Sequence, residues 1–392
     1  QRHRHDKFVN VSQELTIRRT LGVFQMSSNF YSIWQQIFLV FCSVVSGSLS
    51  LAGSGIILWI IWRDRKIKLK HVYHRIMFVM SCLDSIISLN IIFSFLAIPD
   101  GLFWGAIGNT TSCEASGFFL TLNSSQGFYN AGLALYYYLI IVRSSRQEFL
   151  NRRVEPFIHA VSLFLPLCFT IWILTTDSFN PLYYNGGWCS VYEYPARCSR
   201  LGSNVKCTRG SLSKTIGTVF LFSFSLPPFI AYILAMTSIV CFVRRRQISL
   251  RPSSTFDQFK ETIIQAVLYI ASFIAPYTFA ILAHFATSED PLTRFILASF
   301  VKLILPLSGL FNVIIYIRPR YVILRYSRGR TVSSYTLLRE IIIGSRGVHN
   351  DTVLIDDFAP ELTLDEQNHG TMRRQSLFLE ESKASESEVL EN

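Results

Sequence analysis

Polar and apolar positions segregate along this chain into blocks. Seven long apolar stretches, Ile37–Trp62, Arg75–Pro99, Cys113–Val142, Phe157–Thr176, Ile216–Val243, Thr262–Phe285 and Leu292–Ile317, are separated by short polar and basic connections. Each has about the 20 residues that a helix rising about 1.5 Å per residue needs to cross a hydrocarbon core. Composition strengthens that reading: 50% of residues are hydrophobic, 16% are charged, and there are 32 Phe and 17 Tyr. A soluble chain of 392 residues spreads charge along its length, whereas here it gathers in the connections. The expected fold is an all-α membrane protein, a bundle of seven transmembrane helices.

Basic residues set the expected orientation, counted over short loops near the spans. The loop after the first span carries Arg63, Arg65, Lys66, Lys68 and Lys70; that after the third carries Arg143, Arg146, Arg152 and Arg153. The loop after the fifth carries Arg244, Arg245, Arg246, Arg251 and Lys260, while Ala97–Ser112 and Ala286–Thr293 have no Lys or Arg. The N-terminus is therefore expected outside and the C-terminal tail inside. Residues 1–36 form an extracellular segment, 37–317 the membrane domain, 318–346 a basic amphipathic eighth helix on the inner leaflet, and 347–392 an acidic, Ser-rich disordered tail. The formal charge of +11 belongs to the membrane face, and no soluble basic surface for nucleic acid is expected.

Four cysteines, Cys113, Cys189, Cys198 and Cys207, fall on the outer side, where disulfides persist, and four cysteines allow three pairings. The favoured pairing is Cys113–Cys189, with Cys198–Cys207 closing a small ring. Cys42, Cys82, Cys168 and Cys241 lie inside spans and read as small packing residues. Asn10 and Asn109 head glycan acceptor sequons on the outer side, and Ser376 sits in a basophilic kinase pattern on the tail.

Polar residues at membrane depth ask for a reason. Asp84 is the one acidic residue well inside a span, and Asn312, Ser308, Asn123 and Ser54 are its candidate partners. Two readings stand: a protonated packing donor, or a node, with or without a bound sodium ion, that rearranges between two states. Asn312 and Tyr316 are four apart and share a helix face, below a turn loosened by Pro306 and Gly309. Pro276 kinks the sixth stretch. Lys302, mid-span, is assigned with Tyr277 and Ser124 to a ligand pocket; snorkelling into a vestibule, contact with an anionic ligand and a retinal Schiff base all remain open for it. Ser46, Ser50 and Ser54, flanked by Gly47, Gly53 and Gly55, make a close-packing stripe. No Walker loop, HExxH, GxSxG or CxxC is present; no enzyme, cofactor or structural metal is expected.

The ordered words of the membrane core resemble G-protein-coupled receptors of the rhodopsin-like and cyclic-AMP-receptor-like grouping, and most nearly the heptahelical receptors of diatoms and related algae. They are His71-Val72-Tyr73-His74-Arg75 leading into Asp84; Gly108-Asn109 and Cys113 followed by Gly117-Phe118-Phe119; Tyr129-Asn130 with Leu135-Tyr136-Tyr137; Cys189 through Pro195; Cys198 to Gly210; Leu226-Pro227-Pro228; and Gly309 through Tyr321. The resemblance implies that Cys113–Cys189 is the structural disulfide, that Asp84, Asn312 and Tyr316 form an activation relay, and that Pro276 is the helix-six kink. It departs from the rhodopsin-like pattern at Tyr136-Tyr137-Tyr138, where an acidic-Arg-Tyr triplet would fall, at Ile274 in place of Trp, and at Val313 in place of Pro.

The expected function is that of a plasma-membrane receptor for an extracellular ligand, signalling to a heterotrimeric G protein. Arg143, Arg146, Arg244, Arg245 and Arg246 would make first contact with that partner. The alternatives are a retinal-binding photoreceptor or ion-moving protein using Lys302, a transporter, and a seven-helix receptor signalling without G proteins.

Overall fold

The computed structural model of the chain describes residues 31–182, 187–195, 198, 206–249, 264, 267–269, 271–272, 274, 276, 278, 290–328 and 332–344. Its helices are α1 (Ile33–Arg63), α2 (Val72–Phe93), α3 (Thr110–Leu122), α4 (Ser124–Ile141), α5 (Gln147–Thr175), α6 (Ser213–Arg245), α7 (Pro291–Arg325) and α8 (Ser334–Ile343). Five of them, α1, α2, α5, α6 and α7, are long and apolar enough to cross a bilayer. Large apolar side chains point outward: Phe41 is 61% exposed, Phe164 65%, Phe222 62% and Leu234 63%. Such a surface is stable against lipid and would aggregate in water, so these helices are those of a membrane protein.

Two expected spans take other forms. The third, Cys113–Val142, is divided into α3 and α4 at Asn123, which keeps helical dihedrals (φ −58°, ψ −21°). In the sixth, Thr262–Phe285, only scattered positions are described, and Ile264, Val267–Tyr269, Ala271, Ser272, Ile274, Pro276 and Thr278 are helical.

Local chemistry explains the starts and distortions of the helices. Ser32 and Gln35 form a reciprocal capping box at the start of α1, and Asn109 and Ser112 do the same for α3. Wide π-type turns at Leu150–Val154, Ala160–Phe164 and Phe220–Ser225 each run up to a proline, Pro156, Pro166 and Pro227 respectively. Proline has no N–H to give and its ring crowds the preceding turn, so the backbone opens there. In α7 the chain instead tightens to a 3-10 turn at Leu305–Leu307 around Pro306.

Strands β1 (Phe179–Leu182) and β2 (Trp188–Val191) pair antiparallel into a hairpin after α5, with Pro181 opposite Cys189. Disulfides join Cys113 to Cys189 and Cys198 to Cys207. The first fastens the hairpin to the start of α3. Phe179 packs so closely on α3 that a Cβ at Gly117 would lie 2.7 Å from its ring. Arg209 reinforces the same end with an ion pair to Glu114. Of the remaining cysteines, Cys42 is buried and Cys82 half-buried, whereas Cys168 and Cys241 are exposed on helix surfaces instead of packed inside the bundle.

At the opposite end, where one basic helix over 318–346 is expected, the helical backbone of α7 runs on through Pro319 to Arg328 and a separate α8 follows. Leu337 and Ile341 of α8 are buried. Its last carbonyls are satisfied by α1: Arg63 donates to Ile342 O at 2.7 Å and Trp59 Nε1 at 3.1 Å. Burial raises the pKa of the neighbouring Asp64, but the hydrogen bonds from Arg63 and the charges of Lys68, Arg63 and Arg320 outweigh it and hold the carboxyl below its usual range.

Candidate functional site

The serine–glycine stripe of α1 places α7 against it at backbone distance. Ser46 Oγ donates to Lys302 O at 2.9 Å, and Gly309 N donates to Ser50 Oγ at 3.0 Å. A Cβ added to Gly53 would lie 2.5 Å from Gly309 O. That approach aims the polar face of α7 at α2. Asp84 of α2, 1% exposed, accepts hydrogen bonds from Ser308 Oγ at 2.8 Å and Asn312 Nδ2 at 3.0 Å. A carboxylate in an apolar bundle is retained only with such partners. Of the four candidate partners, Ser308 and Asn312 are the ones bonded. Ser54 Oγ is buried with no hydrogen-bond partner, as are Ser81 Oγ and Gln126 Oε1. Ser81 lies one turn from Asp84, Ser54 meets α7 at Gly309, and Gln126 Nε2 donates to Met80 O at 3.0 Å.

One turn further along α7, Tyr316 does not reach the Asp84 node. Its hydroxyl meets His74 Nδ1 at 3.2 Å, and its ring stacks on Tyr73 at 6.0 Å. Tyr73 in turn approaches Tyr137 of α4 at 5.9 Å, and its hydroxyl lies 3.3 Å from that of Tyr269. Tyr137 and Tyr269 are 6.1 Å apart. Side chains from α2, α4, α7 and the sixth stretch thus meet in one aromatic, hydroxyl-bearing cluster at the end of the bundle away from the hairpin. Tyr137 belongs to the Tyr136-Tyr137-Tyr138 run, and its ring contacts in the cluster are with Tyr73 and Tyr269.

Beside the cluster, Arg75 clamps α2 to α5. Nε and Nη2 donate to the two carboxylate oxygens of Glu155, both at 2.5 Å, and Nη1 donates to Leu69 O at 2.7 Å and Lys70 O at 2.8 Å. A bidentate guanidinium–carboxylate pair fixes orientation as well as distance. Tyr73, His74, Tyr269, Gln126 and the Arg75–Glu155 pair were not singled out as site residues from sequence. The word His71-Val72-Tyr73-His74-Arg75, the Tyr136-Tyr137-Tyr138 run and Tyr316 each touch the cluster, but nothing in their spacing brings them together, and Tyr269 has no contrast in a chain this aromatic.

The other expected site residues are placed as follows. Pro276 is buried and helical. Arg143, Arg146, Arg244 and Arg245 are exposed at the tyrosine end, and Arg246 lies on the helical backbone that continues α6, its side chain outside the described residues. Asn109 is exposed at the α3 cap. Ser124 is buried and donates to Thr121 O at 2.9 Å, across the division between α4 and α3. Lys302 is 2% exposed and turned toward the hairpin, its Nζ 3.9 Å from the centroid of the Trp188 ring. Tyr277, Asn10 and Ser376 lie outside the described residues. Glu193, Cys198 and Cys207 cluster closely, but both cysteines are spent in the disulfide and hold no thiolate for a metal. No family model and no curated protein matches the chain.

Proposed function

We propose that the chain is a seven-helix plasma-membrane receptor, of the G-protein-coupled kind its sequence resembles, with the disulfide-bonded hairpin outside and the tyrosine cluster inside. The observation that carries this reading is the pair of linked contacts along α7: Asn312 on Asp84 and, one turn on, Tyr316 on His74. A ligand held between the outer halves of the helices moves the equilibrium between two states only by binding one of them better. A shift of α7 changes the Asp84 bonds and the tyrosine contacts together, because one rigid turn carries both. Separation of Tyr269 from Tyr73 then frees the inner end of the sixth stretch, whose kink at Pro276 is the hinge. The opened crevice exposes Arg143, Arg146, Arg244, Arg245 and Arg246 to a heterotrimeric G protein.

The unpaired oxygens of Ser54, Ser81 and Gln126 around Asp84 suit a small hard cation such as sodium, which would hold the node in one state. A retinal Schiff base at Lys302 needs a carboxylate counter-ion; Glu114 is engaged by Arg209 and Asp84 by Ser308 and Asn312.

Guanine-nucleotide exchange on co-expressed heterotrimers of each class tests the reading. Exchange above that of empty membranes is expected for the wild type, lowered in Asp84→Asn and abolished when Arg244, Arg245 and Arg246 are replaced by Ala. Exchange absent for every class, or unchanged in both variants, contradicts it.

A further inference from the structure

We infer that Lys302 and Trp188 together form a binding site for the carboxylate group of a small ligand, an inference that rests on the receptor reading and gives its ligand a chemical class. The two side chains come from different elements, α7 and β2, and both are deeply buried: Lys302 is 2% exposed and Trp188 4%. The Cys113–Cys189 disulfide, one residue from Trp188, fixes the indole over the lysine. Nζ sits 3.9 Å from the ring centroid, a cation–π contact.

That contact uses one face of the ammonium and leaves the rest of its donor capacity unspent. No carboxylate among the described residues pairs with Lys302, and the Trp188 indole N–H is buried without an acceptor. A native structure rarely leaves two adjacent buried donors, one of them a cation, with no anion between them. Nζ lies over the indole face and the N–H projects from the edge of the same ring, so a carboxylate seated at that edge would take one charge-assisted hydrogen bond of about 2.8 Å from the ammonium and a second from the indole. One positive charge and two donors match a monoanion. A phosphate dianion, with more acceptors and more charge, would be left unsatisfied there. The indole ring of Trp188 and the methylene stem of Lys302 offer apolar contact to the rest of the ligand.

The test uses the purified full-length chain in nanodiscs and reads its thermal unfolding midpoint against octanoate, octanamide and inorganic phosphate. Octanoate is expected to raise the midpoint of the wild type, and octanamide and phosphate to leave it unchanged. Lys302→Met, which removes the charge at similar volume, is expected to fold and to lose the response. Trp188→Phe keeps an aromatic face but not the N–H, and is expected to weaken apparent octanoate affinity roughly tenfold. Equal stabilisation of Lys302→Met, an equal response to octanamide, a response to phosphate alone, or no response to octanoate overturns the assignment. Binding is read on purified protein without a G protein, so failure here and failure of coupling are separate results.

Discussion

Gly53 and Gly309 are the residues on which the polar core depends most directly. A Cβ on Gly309 would lie 2.3 Å from both Ser50 O and Ser54 Oγ, and one on Gly53 would meet the Gly309 backbone. Neither backbone can yield without separating α1 from α7 and drawing Asn312 off Asp84. Gly309→Ala and Gly53→Ala are each expected to destabilise the protein by about 1–3 kcal/mol, read as a lowered thermal midpoint in detergent. Gly55→Ala, with nothing within 4 Å of its added Cβ, is expected to leave the midpoint unchanged or slightly raised. The stripe itself was legible in sequence, since small residues recurring at helical spacing in an apolar segment have one packing use. Its partner helix was not, because spacing along α1 carries no information about which helix lies against it. Asp84 was legible for the opposite reason: a lone carboxyl in an apolar run demands partners, and polar side chains at membrane depth are few.

The joint between α7, α2, α4 and the sixth stretch is a property of elements. Four tyrosines and His74 meet there, and the Tyr73–Tyr269 hydroxyl contact of 3.3 Å ties the sixth stretch to α2. Tyr269→Phe keeps the ring packing and removes one hydroxyl. Loss of one such bond, worth about 0.5–1.5 kcal/mol, is expected to raise basal nucleotide exchange roughly two- to tenfold. Tyr129→Phe, which removes a hydroxyl lying 3.0 Å from His159 Nδ1 between α4 and α5, is expected to leave basal exchange unchanged; equal exchange in the wild type and Tyr269→Phe would remove the latch from the account. Tyr316 was read from sequence as the companion of Asn312 on one helix face, and one face they share. Their contacts differ, because a full turn separates them along the axis and Tyr316 reaches His74 instead of Asp84. The end of α7 also differs from the sequence reading: a single basic segment is expected, while two helices occur. The break between them lets Leu337 and Ile341 bury against α1, an apolar contact that charge counting does not register.

For the whole molecule, the apolar blocks announced the long helices, and the edges were set by caps and prolines. The division at Asn123 and the π-type turns were not legible, since they reflect how each helix accommodates its neighbours and its prolines. The hairpin was also missed, because its two strands are four residues each and carry no alternation. The two disulfides close segments of very different length, with separations of 76 and 9 residues. By loop-closure entropy they contribute about 4.5 and about 2.5 kcal/mol respectively. Paired Cys113→Ser and Cys189→Ser are therefore expected to lower thermal stability and surface abundance more than paired Cys198→Ser and Cys207→Ser. The reverse order would mean that the hairpin holds its place without its tether.

Everything proposed about signalling requires the hairpin end and the tyrosine end to lie on opposite faces of a bilayer. Epitope tags placed before Gln1 and after Asn392, probed with antibody on intact and then permeabilised cells, measure that arrangement directly. The first tag should stain on intact cells and the second only after permeabilisation; staining of both tags from the same side would contradict the seven-span receptor.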